Sequence, residues 1–471
     1  MARGLLAYQV ATFAITFLSY VSLHSTRKAF SNVKSNLAEQ HWFAETSDAT
    51  TDFLALLDTL FLAFYAAGLF MSGAIADRVS RRHVLAAGLL GTAVCTGAFG
   101  VLGLMRVHSR VPYAVAWAAN GLVQSTGWPT SVAVMSNWFA ARRGHKGTRG
   151  GILGIWSSNA NVGNMAGSGL TIATMAVCHA IAPHVEHDIG WQASILVSAA
   201  FALVMGLVTF FLLVETPADV GLALPEDDAP GLPVQDESEP LMAPVASQGS
   251  RLGDERGGVS FLRALLIPGV VNYALAYACC KMVNYSLFFW LPYYLDQGLD
   301  IRSSKANELS NLYDAGQVVG GWLAGAISDR MYQRRSPTMV VCLFLSIGSL
   351  FFLRAVHRHD VVSLAVTLAA TGFFFGGPAN IISSAVAADL GQHPAVSGDA
   401  KAESTVTGIV DGTGAVGAAL GQVLVAAVSD HWGWHAVFTM LMIATALAVV
   451  CILQMLVNDV RWLRAHRRRD R

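Results

Sequence analysis

Three basic residues stand where water cannot reach them by default. Arg27 and Lys28 lie deep in an apolar run that begins near Leu5, and Lys281 lies deep in another. A charge at mid-membrane depth costs about 2.5–3.5 kcal/mol on insertion scales, so each one needs a partner or a task. Lys281 follows Arg27 by 254 residues, the same offset that relates two repeated segments of the chain described below. Repeat-related positions in a carrier face each other near the midplane. Two facing cations call for an anion. Arg presents a planar fork that suits phosphate oxygens, and Lys presents a point charge. A phosphate monoester carries about −1.5 to −2 charges near neutral pH and neutralises such a pair well. The competing reading pairs these cations with buried carboxylates, for which Asp58, Asp314 and Asp411 are available, or lets Arg27 and Lys28 snorkel to the surface.

Other polar residues share the faces of these cations. Tyr20, His24, Arg27 and Ser31 recur at i, i+4, i+7 and i+11, and Tyr277, Lys281, Asn284 and Phe288 repeat that spacing. Such a stripe lies on one face of a helix. In lipid it must face a cavity or another helix. Trp156, Asn159, Asn161 and Asn164 add hydrogen-bonding groups on a further run, where Gly154, Gly163 and Gly167 also permit close helix packing. The candidate substrate-binding set is therefore Arg27, Lys28, Lys281, His24, Tyr20, Asn159, Trp156, Asn284 and Tyr277.

A second pattern concerns opening and closing. "GAIADRVSRR" at 73–82 is repeated as "GAISDRMYQRR" at 325–335. A carboxylate at a helix C-terminus opposes the helix dipole and seeks an Arg or a neighbouring helix start. Asp77 with Arg78, and Asp329 with Arg330, are the gating candidates. No metal centre or cofactor is expected. His179, His184, Glu186, His187 and Asp188 cluster in one loop, but their spacing is irregular for ligation. The six cysteines lie in apolar runs and show neither a disulfide framework nor zinc spacing. Asn284-Tyr-Ser286 fits a glycosylation pattern inside a span, where it is discounted.

These residues need membrane-spanning helices to hold them. Of 471 residues, 54% are hydrophobic and 13% charged, against about 25% charged in soluble domains. Mean hydropathy is +0.48. A soluble, disordered or coiled-coil chain is excluded by these figures. Spans are predicted at roughly 5–31, 52–76, 84–105, 111–139, 149–178 and 191–214, and again at 264–295, 306–328, 337–356, 361–389, 402–430 and 434–457. The fold class is an all-α membrane protein of twelve transmembrane helices in two pseudo-symmetric six-helix bundles. The bundles cover 1–214 and 261–460, joined by an acidic, Pro-rich linker at 215–260 that is too polar to fold, and a basic tail at 461–471 follows. The tail either touches anionic lipid or serves as a topology signal. Putting both termini and the linker on one side places 21 basic residues there and 7 opposite, which predicts cytosolic termini. The first span is expected to act as its own targeting signal. Net charge is +0, so nucleic acid is not an expected partner. "GIWSSNANVG" at 154–163 matches "GIVDGTGAVG" at 408–417, also at an offset of 254, which argues for duplication of a six-span unit as in secondary transporters.

The duplicated "GAIADRVSRR/GAISDRMYQRR" resembles the cytoplasmic loop motif of the major facilitator superfamily. "YVSLHSTRKAFSNVKSNL" (20–37), "NGLVQSTGWPTSVAVMSNWF" (120–139) and "AKAESTVTGIVDGTGAVGAALG" (400–421) resemble the sugar-phosphate exchangers of that superfamily, on the glycerol-phosphate/glucose-phosphate branch. The resemblance covers most spans in both halves and leaves out the linker. It implies an antiporter that exchanges glucose-6-phosphate or glycerol-3-phosphate for inorganic phosphate, and a location in the endoplasmic reticulum membrane. It assigns the family's essential first-span Arg to Arg27 and its seventh-span base to Lys281. Two positions depart from the family pattern: Asn159 stands where relatives carry His, and Ala29 where a Pro is common. The alternatives to an exchanger are a proton-coupled sugar or organic-anion symporter using Asp58, Asp314 or Asp411, a phosphate sensor that does not transport, and an intramembrane enzyme, for which no nucleophile–base pair or metal set is evident.

Overall fold

In the computed structural model the described residues are 2–75, 79–139, 152, 155–181, 186–222, 261–332, 334–356, 360–386, 389–390 and 400–469. The linker predicted at 215–260 falls largely outside them, as do Asp77, Arg78 and His184. The first half of the chain forms α1 (Ala2–Glu39), α2 (Ser47–Ile75), α3 (Arg81–Leu104), α4 (Arg110–Gln124), α5 (Gly127–Trp138), α6 (Asn159–Ile181) and α7 (Glu186–Leu212). The second half forms α8 (Phe261–Leu265), α9 (Val270–Tyr293), α10 (Ser303–Arg330), α11 (Ser336–Ala355), α12 (Val361–Asn380) and α13 (Ala400–Arg469). Helix α13 is two helices joined at Gly433, whose φ of 74° lies in the left-handed region that glycine tolerates.

Among the described residues, eight helices are long and apolar enough to cross a membrane. Helices α6 and α10 have the length, at 23 and 28 residues, but are not among the eight. Their sequences explain why. Helix α6 buries Asn159, Asn161 and Asn164, and α10 buries Asn307, Asp314 and Gln317. These amides and the carboxylate face protein rather than lipid, as a polar intramembrane residue must. The chain is thus a multi-pass integral membrane protein in which α6 and α10 turn their polar side chains inward.

Helix α1 packs along α6 and α9 packs along α13, while α2 meets α13 and α6 meets α10 across the two halves. The repeat is visible at the level of single contacts. A Cβ built on Gly163 would lie 2.6 Å from His24 Cβ, and one on Gly417 would lie 2.3 Å from the Ala278 carbonyl oxygen. Both members of the second contact follow those of the first by 254 residues. Each glycine lets a helix rest on the backbone of the helix that carries the buried cations.

Helix α1 runs to Glu39, eight residues past the predicted end of the first span. Lys34, which the sequence reading counts among the loop residues opposite the termini, is therefore inside the helix, 0% exposed and paired with Asp58. The far ends of α1 and α2 meet the far end of α9. Ser31 Oγ donates to the Phe288 and Phe289 carbonyls at 2.9 and 3.1 Å, Thr51 and Tyr293 share a 3.0 Å hydroxyl contact, and Gln297 Nε2 donates to Glu39 at 2.9 Å. The halves are thus shut against each other on the side away from the termini.

Candidate functional site

A cavity of about 100 Å³ lies in mid-protein, on the terminal side of this closure. Both halves line it. Tyr20 and His24 come from α1, Asn161 and Asn164 from α6, and Tyr277, Lys281 and Asn284 from α9. Trp128, Ser157, Asn380 and Ser383 line it as well, from helix positions nearer the ends that carry the termini. Five residues of the predicted binding set, Tyr20, His24, Tyr277, Lys281 and Asn284, are on the cavity wall. Arg27, Lys28, Trp156 and Asn159 are not on it.

Arg27 sits directly behind the wall. Its side chain is 0% exposed. Nε donates to Gln124 Oε1 at 2.6 Å, and Nη1 donates to the hydroxyl of the cavity-lining Tyr285 at 3.3 Å. The guanidinium carbon lies 4.8 Å from the ring centre of Tyr65, also on the wall, and 5.1 Å from that of Phe61. Nη2 has no hydrogen-bond partner, and no carboxylate pairs with Arg27 among the described residues. A buried guanidinium held by an amide, by the hydroxyls of Tyr285 and Tyr65 and by two ring faces, with no carboxylate beside it, is a cation with its charge unmatched.

The lysines are paired. Lys281 Nζ is 3.4 Å from Asp411 Oδ1 and donates also to the Asp411 carbonyl at 3.4 Å, with the Tyr277 ring centre 4.8 Å away. Both Lys281 and Asp411 line the cavity. Lys28 lies 4.0 Å from Asp314, donates to the Phe288 carbonyl at 3.5 Å and faces the Phe288 ring at 5.2 Å. Asp314 also accepts from Asn164 Nδ2 at 2.6 Å, and Asn164 Oδ1 is 2.9 Å from His24 Nδ1. A continuous polar chain therefore runs from His24 on the wall to Lys28 behind it, passing through Asp314 of the other half. The carboxylate pairing weighed in the sequence thus applies to Lys28 and Lys281 and leaves Arg27 out.

Trp156 stacks on Trp128 at 5.3 Å and donates to Thr16 Oγ1 at 3.1 Å, behind the wall that Trp128 forms. Asn159 is 0% exposed, and both polar atoms of its amide lack partners among the described residues. Of the gating residues, Asp329 is 61% exposed and 3.5 Å from Arg335, while Arg330 donates to the Ala326 carbonyl at 3.4 Å. The expected loop cluster is not one loop: His179 lies in the last turn of α6, and Glu186, His187 and Asp188 open α7.

The sequence reading did not single out Gln124, Tyr65 or Tyr285. The signal was present for Gln124, an amide inside the apolar stretch "NGLVQSTGWPTSV". Its Nε2 donates to Thr26 Oγ1 and Asn120 Oδ1, each at 3.1 Å, which fixes Oε1 toward Arg27. Gln124→Leu is expected to lower transport about tenfold by freeing the guanidinium. Gln124→Glu is expected to lower it more, because a carboxylate there would satisfy the charge meant for a substrate anion. Initial transport rates of the two variants in vesicles check this order, and an equal or smaller loss in Gln124→Glu contradicts it.

The comparisons agree with this architecture. A model of the Major Facilitator Superfamily matches residues 5–400. The chain is 38% identical to sugar phosphate exchanger 3 of Mus musculus, over 96% of this chain and 94% of that one. It is 34% identical to a glucose-6-phosphate exchanger of Mus musculus (95% and 91%) and 35% identical to putative glycerol-3-phosphate transporter 1 of Arabidopsis thaliana (96% and 89%). The solved structure of a bacterial homologue of the human lysosomal transporter Spinster, inward-facing and unoccupied, superposes with a TM-score of 0.61 at 15% identity, over 98% of this chain and 97% of that one. With the buried cations, the repeat-related contacts of Gly163 and Gly417 and the near full-length likeness all in place, the chain belongs to the Major Facilitator Superfamily and, within it, to the sugar phosphate exchanger family.

Proposed function

We propose that this protein exchanges a sugar phosphate, glucose-6-phosphate or glycerol-3-phosphate, for inorganic phosphate across a membrane by alternating access. The observation that carries the reading is the uncompensated guanidinium of Arg27 behind a wall that also bears Lys281. The names of the relatives support the same substrate class. In this mechanism the incoming phosphate takes the place of the Tyr285 hydroxyl on Arg27 and competes with Asp411 for Lys281. His24, Asn164 and Asn284 offer hydrogen bonds to the rest of the substrate. The anion gives the site the negative charge it lacks, and the two halves then exchange their closed and open ends around it. An empty carrier must make the same movement with Arg27 unmatched, which slows its return and makes transport an exchange.

A proton-coupled symporter would need a carboxylate free to take up its proton. Asp58, Asp314 and Asp411 are each paired with a lysine, which favours the exchanger. The chain is read as a transporter, not an enzyme. Its ligands are sugar phosphate and phosphate, within a lipid bilayer. We place it in the endoplasmic reticulum membrane with both termini cytosolic. The bias of basic residues supports the orientation.

The test is transport into liposomes holding the purified protein and preloaded with phosphate. Labelled phosphate is expected to enter only when phosphate or a phosphate ester is inside, and to be competed by glucose-6-phosphate or glycerol-3-phosphate but not by glucose. Uptake indifferent to internal phosphate and driven by a pH gradient points to the symporter. Binding without uptake points to a sensor.

A further inference from the structure

The buried pair Lys34–Asp58 has no part in the substrate site, yet it sits at the closed end of the protein. Both side chains are 0% exposed. Lys34 on α1 and Asp58 on α2 belong to the same half, and Lys34 Nζ donates to Asp58 Oδ2. The pair is short of partners. Asp58 Oδ1 accepts nothing among the described residues, and an ammonium has three protons to donate. Phe30, on the same helix, covers one side of the ammonium with its ring centre 5.5 Å from Nζ, and the rest of the cover comes from the other half. Lys34 Nζ lies 4.1 Å from the Trp290 ring centre and 5.2 Å from that of Phe289, both on α9. Trp290 is tied to its own half, because its Nε1 donates to Gln422 Oε1 at 2.9 Å. Ser31, one turn before Lys34, donates to the Phe288 and Phe289 carbonyls of the same segment.

Parting of the halves on this side would therefore leave the ion pair intact and remove its lid. Water would then reach two charges that the closed form keeps dry and under-bonded. A dry, half-satisfied ion pair opposes closure. The ring contacts to Lys34 and the Ser31 hydrogen bonds favour it. We propose that Lys34, Asp58 and Trp290 form the gate on the side away from the termini, and that the opposition between these two sets of forces keeps its closure reversible during exchange. The proposal rests on the alternating-access reading above. It differs from a static clamp between α1 and α2, which would leave the equilibrium between closed and open unaltered.

The measurement is the labelling rate of Ser31→Cys protein in vesicles by a membrane-impermeant maleimide added from the side away from the termini. The Ser31 hydrogen bonds are missing from this protein and from every variant made in it, so each comparison reads the ion pair and Trp290 alone. The parent without that cysteine supplies the background from the six native thiols. In this setting Asp58→Asn strands Lys34 in the closed form and is expected to raise labelling roughly tenfold. Lys34→Met combined with Asp58→Leu removes the cost of dry charges and is expected to lower labelling at least about threefold and slow exchange. Trp290→Leu, which leaves the pair alone, is expected to raise labelling and serves if Asp58→Asn does not fold. Labelling equal to that of the parent gate in the folded variants overturns the proposal. Phosphate self-exchange by the unaltered protein in the same vesicles tests the exchanger reading separately. Its absence, with the labelling order intact, would remove the exchanger and leave the gate.

Discussion

Arg27→Lys is expected to cut phosphate exchange at least about 100-fold, although the substitution keeps the charge. Two guanidinium nitrogens hold partners and a third is kept in reserve. Nε is fixed by Gln124, Nη1 reaches Tyr285 on the cavity wall, and Nη2 is left over. Two neighbouring nitrogens are thus available on one plane for two phosphate oxygens once Tyr285 yields. An ammonium offers a single point and cannot hold Gln124 and a substrate in the same geometry. It is also more strongly hydrated, so its burial against Phe61 and Tyr65 is less favourable. Counterflow of labelled phosphate in vesicles gives the rate, and monodisperse protein of unchanged thermal stability shows that the loss is not one of folding. Exchange within about threefold of the unaltered protein would remove the bidentate role from Arg27.

How much of this arrangement can be read in the sequence depends on whether a signal lies within one helix. The stripes on α1 and α9 are local, and Tyr20, His24, Tyr277, Lys281 and Asn284 do line one cavity. The offset of 254 is also a property of the string alone, and it reappears as the paired contacts of Gly163 and Gly417. Pairing between helices is not local. Lys34 reads as a loop residue because "NVKSNLAEQH" is polar, but the helix continues and Asp58 on α2 takes its charge. Lys28 is next to Arg27 in sequence and points to a different partner, since neighbours on a helix diverge by about 100°. Asn159 carries the right chemistry and is off the wall, because the rotation of α6 about its axis turns Asn161 and Asn164 inward instead, and Trp156, ahead of α6, lies behind Trp128. The start of the predicted linker is ordered instead, because Glu215 accepts from Ser80 and from the Arg81 and Arg82 amides and Thr216 caps a short turn at Pro217–Val220.

Lys281 and Asp411 should respond in opposite directions. In the structure the two are each other's partner on the cavity wall, so any phosphate that uses Lys281 must do so against Asp411. Lys281→Ala removes the cation and leaves a buried carboxylate facing the substrate anion. Loss of attraction and gain of repulsion add, and apparent phosphate affinity is expected to fall at least about 100-fold, with exchange lost at ordinary phosphate concentrations. Asp411→Asn keeps the hydrogen-bonding shape and removes the competitor. Phosphate affinity is expected to rise several-fold, while maximal exchange slows because release now leaves Lys281 as well as Arg27 unmatched. Leak of phosphate from vesicles without external substrate should fall in the same variant, since the empty carrier now returns with two bare cations instead of one. Saturation curves for phosphate counterflow, with the leak measured in parallel, test all three. A rise in leak in Asp411→Asn would mean that the neutralised carboxylate, not the bare cation, controls the return of the empty carrier, and the electrostatic account of strict exchange would fall with it.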